Sequence, residues 1–267
     1  MRLDVYLTEN EYASTRSRAK SLVESGAVTI NGIVIKKPSY DMAPDEEYDI
    51  SVDSSVLPYV SRGGLKLEAA LDRFKIDVRG LRCADIGAST GGFTDCMLRR
   101  GAKIVYAVDS GSDQLSPQLK SNPAVVSIEK FNARCMTAET VGGALCSFAA
   151  ADLSFISQTY LLRPIASILS EGALYVGLIK PQFECGREAV GKGGIVKGRK
   201  HYRYAADRVF GEALEAGFDV IGFTASPIKG GDGNREFLMC ARRCPAGDAG
   251  RLLISDAEID REIEKMK

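Results

Sequence analysis

From residue 81 onward, short unbroken apolar runs alternate with stretches of helical periodicity, and this alternation limits the possible folds more than any other feature of the chain. Residues 81–86 (Leu-Arg-Cys-Ala-Asp-Ile), 103–108, 124–128, 146–150, 173–179, 218–225 and 236–241 read as strands. Helices read over 92–100, 157–169 and 202–216, and another over 65–74, opened by Ser61-Arg62-Gly63-Gly64. Strands with no polar alternation are buried on both faces, which requires helices on each side of a mostly parallel sheet. The expected fold class is therefore α/β, a Rossmann-like doubly wound domain over residues 61–245.

The first 53 residues follow another pattern. Ser14-Thr15 can cap a helix that runs to Glu24 and stops at Gly26. Asn31-Gly32, set between Ala-Val-Thr-Ile and Ile-Val-Ile, predicts a type I′ hairpin, and 48–52 alternates as a further strand. Residues 1–53 thus read as a small α+β module. Residues 54–60, with Pro58, read as a linker. Residues 246–267 read as an extension ending in a charged helix from Asp256 to Lys267.

Composition removes several chemistries. The chain has one His, His201, so His-rich zinc sites are excluded and any Ser-His-Asp triad would have to use that residue. No metal is expected. Seven Cys without a Cys-x-x-Cys pair fit reduced cytosolic thiols. No apolar run approaches the ~20 residues of a membrane span, and the N-terminus is not a signal peptide. The expected location is the cytoplasm. Lys and Arg (35) balance Asp and Glu (35), so no global field marks a nucleic-acid binder. The cations do gather locally, in 12–37 and in 180–208.

The chemistry starts at Asp85-Ile-Gly87-Ala88-Ser89-Thr90-Gly91-Gly92-Phe93. A glycine-rich turn between a strand and its helix lets a ligand approach the backbone at the switch point of the sheet. A dinucleotide fingerprint would want glycine at 87, 89 and 92, yet 89 is Ser. Asp109 ends the next strand, where a carboxylate can accept both hydroxyls of a ribose. Asp152 and Lys180 each follow a strand and should converge at the carboxyl edge of the sheet.

These motifs resemble known families. The N-terminal module, with Arg-Leu-Asp, Ser-Arg-Ser-Arg-Ala-Lys and Gly-Ala-Val-Thr-Ile-Asn-Gly, resembles the S4 RNA-binding domain, which implies RNA contacts by Arg2, Arg16, Arg18 and Lys20. The turn resembles motif I of S-adenosylmethionine-dependent methyltransferases. Lys66, Asp152, Lys180 and Glu236 match the Lys-Asp-Lys-Glu tetrad of FtsJ-type ribose 2′-O-methyltransferases. Up to about residue 242 the chain resembles the TlyA rRNA 2′-O-methyltransferases, a family also named haemolysin A.

The resemblance implies S-adenosylmethionine held by Asp85, residues 87–93, Asp109 and Asp152, and methylation of cytidine ribose in ribosomal RNA on ribosomal subunits. It implies further RNA contacts at Arg62, Arg187, Lys192 and Lys197. In this scheme Lys180 is the base, a role open to a lysine only when its pKa falls from ~10.4. Residues 186–200, rich in glycine and cations, are expected to form a mobile lid. One departure stands out: members that modify both subunits often carry Arg-x-Trp-Val before Ser-Arg-Gly, and here the segment is Leu57-Pro58-Tyr59-Val60. Two alternatives remain open: a non-catalytic RNA- or ribosome-binding factor, and a membrane-active haemolysin for which no inserting element is found. Oligomeric state is also open.

Overall fold

The computed structural model describes residues 1–13, 15–43, 46–53 and 55–265, and the chain divides into two compact units, Met1–Gly64 and Leu65–Lys267. The first contains α1 (Leu3–Glu9), α2 (Arg16–Ser25), β1 (Val28–Ile30), β2 (Ile33–Val34) and β3 (Ile50–Val52), the strands forming an antiparallel sheet in the order β2-β1-β3. Thr15 caps α2 by accepting the Arg18 N–H at 3.1 Å. Ser14, the other expected cap residue, lies outside the described residues. Asn31 (φ 51°) and Gly32 (φ 76°) are both left-handed, as a type I′ turn demands. No local sequence signal marks helix α1, which only the S4 resemblance implies. It is too short to persist alone and is held by the complete burial of Leu3 and Leu7.

The segment expected as a linker is packed over most of its length. Leu57, Tyr59 and Val60 are buried, and Arg18 donates to the carbonyls of Leu57 and Tyr59. Three of its four last residues are apolar, and burial of those side chains outweighs the freedom a linker would keep. Ser54 lies outside the described residues.

From Leu65 on, α3 (Gly63–Phe74) belongs to the second unit, which continues through β4 (Arg82–Ile86), α4 (Gly92–Arg99), β5 (Ile104–Val108), α5 (Pro117–Lys120) and β6 (Val125–Ile128). Then come β7 (Cys146–Ala151), α6 (Leu162–Ser167), β8 (Leu169–Ile179), α7 (Pro181–Glu184), α8 (Arg199–Glu215), β9 (Phe218–Ala225), β10 (Phe237–Arg243) and α9 (Asp256–Glu264). The seven strands lie in the order β6-β5-β4-β7-β8-β10-β9. The first five are parallel, and β10 runs antiparallel between β8 and β9. The helix expected over 157–169 is broken: 3-10 turns span Gln158–Tyr160, α6 covers Leu162–Ser167, and β8 already begins at Leu169. Pro164 is the cause, since its ring and missing N–H forbid a continuous helix through residue 160. Of the expected terminal helix, Met266 and Lys267 lie outside the described residues; Ser255 caps α9 through a box with Glu258.

Register decides what meets at the carboxyl edge. Ile86 pairs with Val108 on one side and Ala151 on the other, so Gly87, Asp109 and Asp152 leave the sheet at one level. Phe237 pairs antiparallel with Ile179. The residue before Phe237 therefore faces the residue after Ile179, which sets Glu236 beside Lys180 although 56 positions separate their numbers.

Candidate functional site

The turn after β4 is shaped by its glycines. Gly87 has φ 82°, and a Cβ there would come within 2.7 Å of the Asp152 carbonyl oxygen, so no other residue fits this approach. Gly91 is required by its left-handed backbone (φ 92°), and a Cβ there would meet the side-chain ends of Leu115 and Leu119. Ser89 is itself left-handed at φ 47°, and its N–H donates to Asp109 Oδ2 at 2.8 Å. Asp109 Oδ1 accepts the Gly111 N–H at 2.7 Å. Two main-chain donors thus fix this carboxylate, and each oxygen keeps a second lone pair.

Asp85, 1% exposed, turns inward below this loop. Its Oδ2 accepts both the N–H (2.8 Å) and the hydroxyl (2.7 Å) of Thr94, while Oδ1 is buried with no hydrogen-bond partner. Burial pushes the Asp85 carboxyl up to about 7, against the lowering pull of the Thr94 bonds, and Asp152 and Asp109 add to the rise. Above the loop lies a cavity of about 370 Å³ whose lining includes Gly87, Asp109, Gln114, Phe131, Asp152 and Phe155.

The four charged residues expected to act together do meet. Lys180 Nζ lies 2.6 Å from Asp152 Oδ1 and donates to Ser154 Oγ at 3.0 Å. Lys66 Nζ donates to Glu236 Oε2 at 2.6 Å and stands 3.8 Å from Asp152 Oδ2. Lys66, Lys180 and Glu236 are buried, and Asp152 is half-buried at the cavity wall. Burial alone would raise the Asp152 carboxyl, but Lys66 and Lys180 outweigh it and hold the group below the usual carboxylate range.

Sequence reasoning passed over the residue that ties the two loops of this cluster together. Glu184, 2% exposed, accepts the Ser157 hydroxyl at 2.5 Å and the Gln158 N–H at 2.8 Å. It thereby joins the loop after β7, which carries Asp152 and Ser154, to α7, which follows Lys180. Burial raises its carboxyl, and the bonds from Ser157 and Gln158 oppose that rise. Its only signal in the sequence was an acid inside Lys-Pro-Gln-Phe-Glu. Ser154 and Thr94 were missed as well.

The expected RNA-contacting cations divide. Arg2 and Arg16 both pair with Asp4, and Lys20 and Arg62 with Glu24; Arg16 and Lys20 stay exposed. Arg18 is committed to the carbonyls of Leu57 and Tyr59. Arg187, Lys192 and Lys197 are exposed on 186–200. That stretch is anchored where a free lid was expected. Val196 is fully buried and its N–H reaches Asn234 Oδ1 at 2.9 Å, while Asn234 Nδ2 donates to Gly194 O at 2.9 Å. The buried Asn234 amide clamps both sides of the loop, which glycine content alone does not reveal.

Residues 59–243 match the FtsJ-like methyltransferase family, and residues 1–47 match the S4 domain. The protein named 16S/23S rRNA (cytidine-2′-O)-methyltransferase TlyA from Mycobacterium tuberculosis is 40% identical over 241 residues, 90% of this chain and 89% of its own length. The chain belongs to the TlyA family of FtsJ-like methyltransferases. Hemolysin A of Brachyspira hyodysenteriae is similar to the same degree, 40% identical over 238 residues that make up 89% of this chain and 98% of its own. A solved structure from Streptococcus thermophilus that carries a hemolysin name matches with a TM-score of 0.79 at 39% identity, covering 99% of this chain and 94% of that one. Among the described residues of this TlyA-family chain, no helix is long and apolar enough to cross a membrane.

Proposed function

We propose that this chain transfers a methyl group from S-adenosylmethionine to the 2′-hydroxyl of a cytidine in ribosomal RNA. The observation that carries the reading is the cluster of Lys66, Lys180 and Glu236 around Asp152, which itself lines the cavity opened by the Gly87 turn, in a chain whose named relatives include rRNA (cytidine-2′-O)-methyltransferases. The residues present fit the cofactor. Asp109 offers the remaining lone pairs of both oxygens to a ribose, Gly87 leaves a cradle that a Cβ would fill, and the orphaned Asp85 Oδ1 offers a buried acceptor. Residues 88–93 line the turn between them.

The cofactor supplies an activated methyl electrophile, so the chain needs to add alignment of the attacking oxygen and an acceptor for its proton. Lys180, in its neutral amine form, is the group for the proton. Asp152 and Ser154 hold its Nζ from two directions, which fixes where the ribose hydroxyl must lie. Lys66 draws on the other oxygen of the same carboxylate and is itself neutralised by Glu236. Phe155, 92% exposed, is left-handed at φ 64° and stands 5.6 Å from the Phe183 ring, giving the cavity mouth an aromatic face for a base. Arg187, Lys192 and Lys197 offer positive charge to RNA phosphates, and the S4 domain separately offers its own exposed cations.

The test is a map of 2′-O-methylation on ribosomal RNA from cells with and without this protein. The expected result is a cytidine methylated only when the wild-type chain is present and left bare by Lys180→Ala. An identical map in all three strains refutes the reading.

A further inference from the structure

A second cavity, of about 510 Å³, lies outside the tetrad and the turn. Its floor is apolar: Val196 and Tyr202 are buried, as is Ile263 of α9. Cations outnumber acids on its lining: the exposed Lys197 and Lys229 and the half-buried Arg235 stand there with Glu264, whose carboxylate is paired with Arg199. No ion pair engages Lys197 or Lys229 among the described residues, whereas the neighbouring Arg199 is spent on Asp260 and Glu264, each at 2.7 Å.

The cavity is built rather than incidental. Tyr202 donates its hydroxyl to Val196 O at 3.1 Å, and the Asn234 amide fixes Gly194 and Val196. The loop that supplies Lys229 and Arg235 also supplies Glu236 of the tetrad. Arg235 of the cavity wall precedes Glu236 in the chain, and Gly230, which follows Lys229, lies so close to the Glu236 carboxylate that a Cβ there would come within 2.5 Å of its Oε1.

We infer that this cavity receives a nucleotide of the RNA substrate next to the one that is methylated. An apolar floor with an aromatic ring suits a nucleobase, which is poorly hydrated on its faces, and the unpaired lysines suit the phosphate that follows it. Neither half of the cavity suits the other's ligand. The position also fits: a ribose at the tetrad places the flanking nucleotides of a single strand within reach of Arg235. This inference rests on the RNA methyltransferase reading, and it assigns to that site a recognition element for sequence beside the target. A free nucleotide would present the same phosphorylated base, so the test separates the two.

The test uses the full chain and the double variant Lys197→Gln/Lys229→Gln, which alters only exposed side chains. RNA binding is measured against salt for oligonucleotides that end at the target cytidine and for the same oligonucleotides extended by one to three nucleotides on either side. The wild type should bind one set of extended RNAs more tightly. The double variant should lose that gain and show a salt slope flatter by roughly 0.7 log units for each phosphate it no longer neutralises, with cofactor affinity by calorimetry unchanged. Equal slopes and an equal gain on extension in both proteins would overturn the assignment. So would cytidine 5′-monophosphate binding to the wild type, weakened in the double variant but undisturbed by the extended RNA, since the cavity would then serve a free nucleotide. Binding is read without turnover, so a wild type that binds as expected but methylates no ribosomal RNA counts against the proposed function and not against this cavity.

Discussion

Asp85 couples stability to pH in a way that one substitution exposes. Its carboxyl is raised from the ordinary 3.8 to about 7 in the folded chain because burial disfavours the charge. A folded-state pKa above the unfolded one means that the folded protein keeps a proton the unfolded chain has released. The stabilising influence of the neutral acid is complete below about pH 4, declines as pH rises, and is gone above about pH 7. At ~1.4 kcal/mol per unit, the difference across that window is about 4 kcal/mol. Asp85→Asn keeps both Thr94 bonds, because the amide oxygen accepts them as Oδ2 does, and it carries no charge at any pH. Without cofactor, the variant's advantage over the wild type should therefore be only about 1 kcal/mol at pH 4.5 and should grow progressively up to pH 7.5. The limiting gap should be a few kcal/mol, or roughly 10 °C in melting temperature for a unit of this size. Urea unfolding at pH 4.5, 6, 7.5 and 8.5 measures it. A gap that stays constant across these values refutes the argument, because only a titrating group can make it grow. The same variant should bind S-adenosylmethionine more weakly, which explains why a site keeps a carboxylate that costs stability.

The parts of the fold and site that could be read from the sequence are those written in local pattern. The alternation of apolar runs predicts the parallel strands, and the Asn31-Gly32 turn and the Gly87–Gly92 loop declare themselves because positive φ demands particular residues. Of the charged cluster, the meeting of Asp152 and Lys180 was legible from their places after strands, and the addition of Lys66 and Glu236 only through resemblance. No periodicity announces that Lys66 will meet Glu236, 170 positions away, and the meeting depends on β10 entering the sheet antiparallel beside β8. Glu184 shows the opposite limit. It sits in a short apolar segment where an acid looks like a surface residue, and its burial makes sense only once Ser157 and Gln158 supply donors from another loop. Arg18 looked like its neighbours on a basic helix. Its role was hidden because main-chain carbonyls, its partners here, leave no trace in a sequence. Pro164 was visible all along, and the helix expected through it failed on the local rule that governs proline.

Three further outcomes are expected. Asp109→Ala should weaken S-adenosylmethionine binding, since two charge-assisted ribose bonds at roughly 1.5–3 kcal/mol each are at stake; unchanged affinity by calorimetry removes Asp109 from the cofactor site. On the S4 domain, Arg16→Ala/Lys20→Ala should flatten the salt dependence of RNA binding, by roughly 0.7–0.9 log units for each phosphate left without its cation, and Arg18→Ala should instead expose the 57–60 segment to proteolysis. Equal protease sensitivity in Arg18→Ala and wild type would return Arg18 to the RNA-binding set. The last concerns Lys180. Lys180→Ala should abolish methyl transfer while cofactor and RNA binding stay near wild type, because Nζ engages Asp152, Ser154, the Phe183 ring and, in this scheme, the reacting hydroxyl. Its removal also leaves Asp152 with Lys66 alone, so thermal unfolding of the variant is measured beside its activity. Lys180→Arg separates the two possible roles: a guanidinium keeps the positive charge beside Asp152 but does not give up a proton in a protein. If Lys180 takes the hydroxyl proton, the arginine enzyme should lose roughly 10²–10⁴ in single-turnover rate, with misalignment of the ribose adding to the loss. If the ammonium only steers the oxygen by its charge, arginine should restore much of the rate. A substantially active arginine enzyme on the same RNA would end the assignment of Lys180 as base and leave it as the charge that orients the ribose.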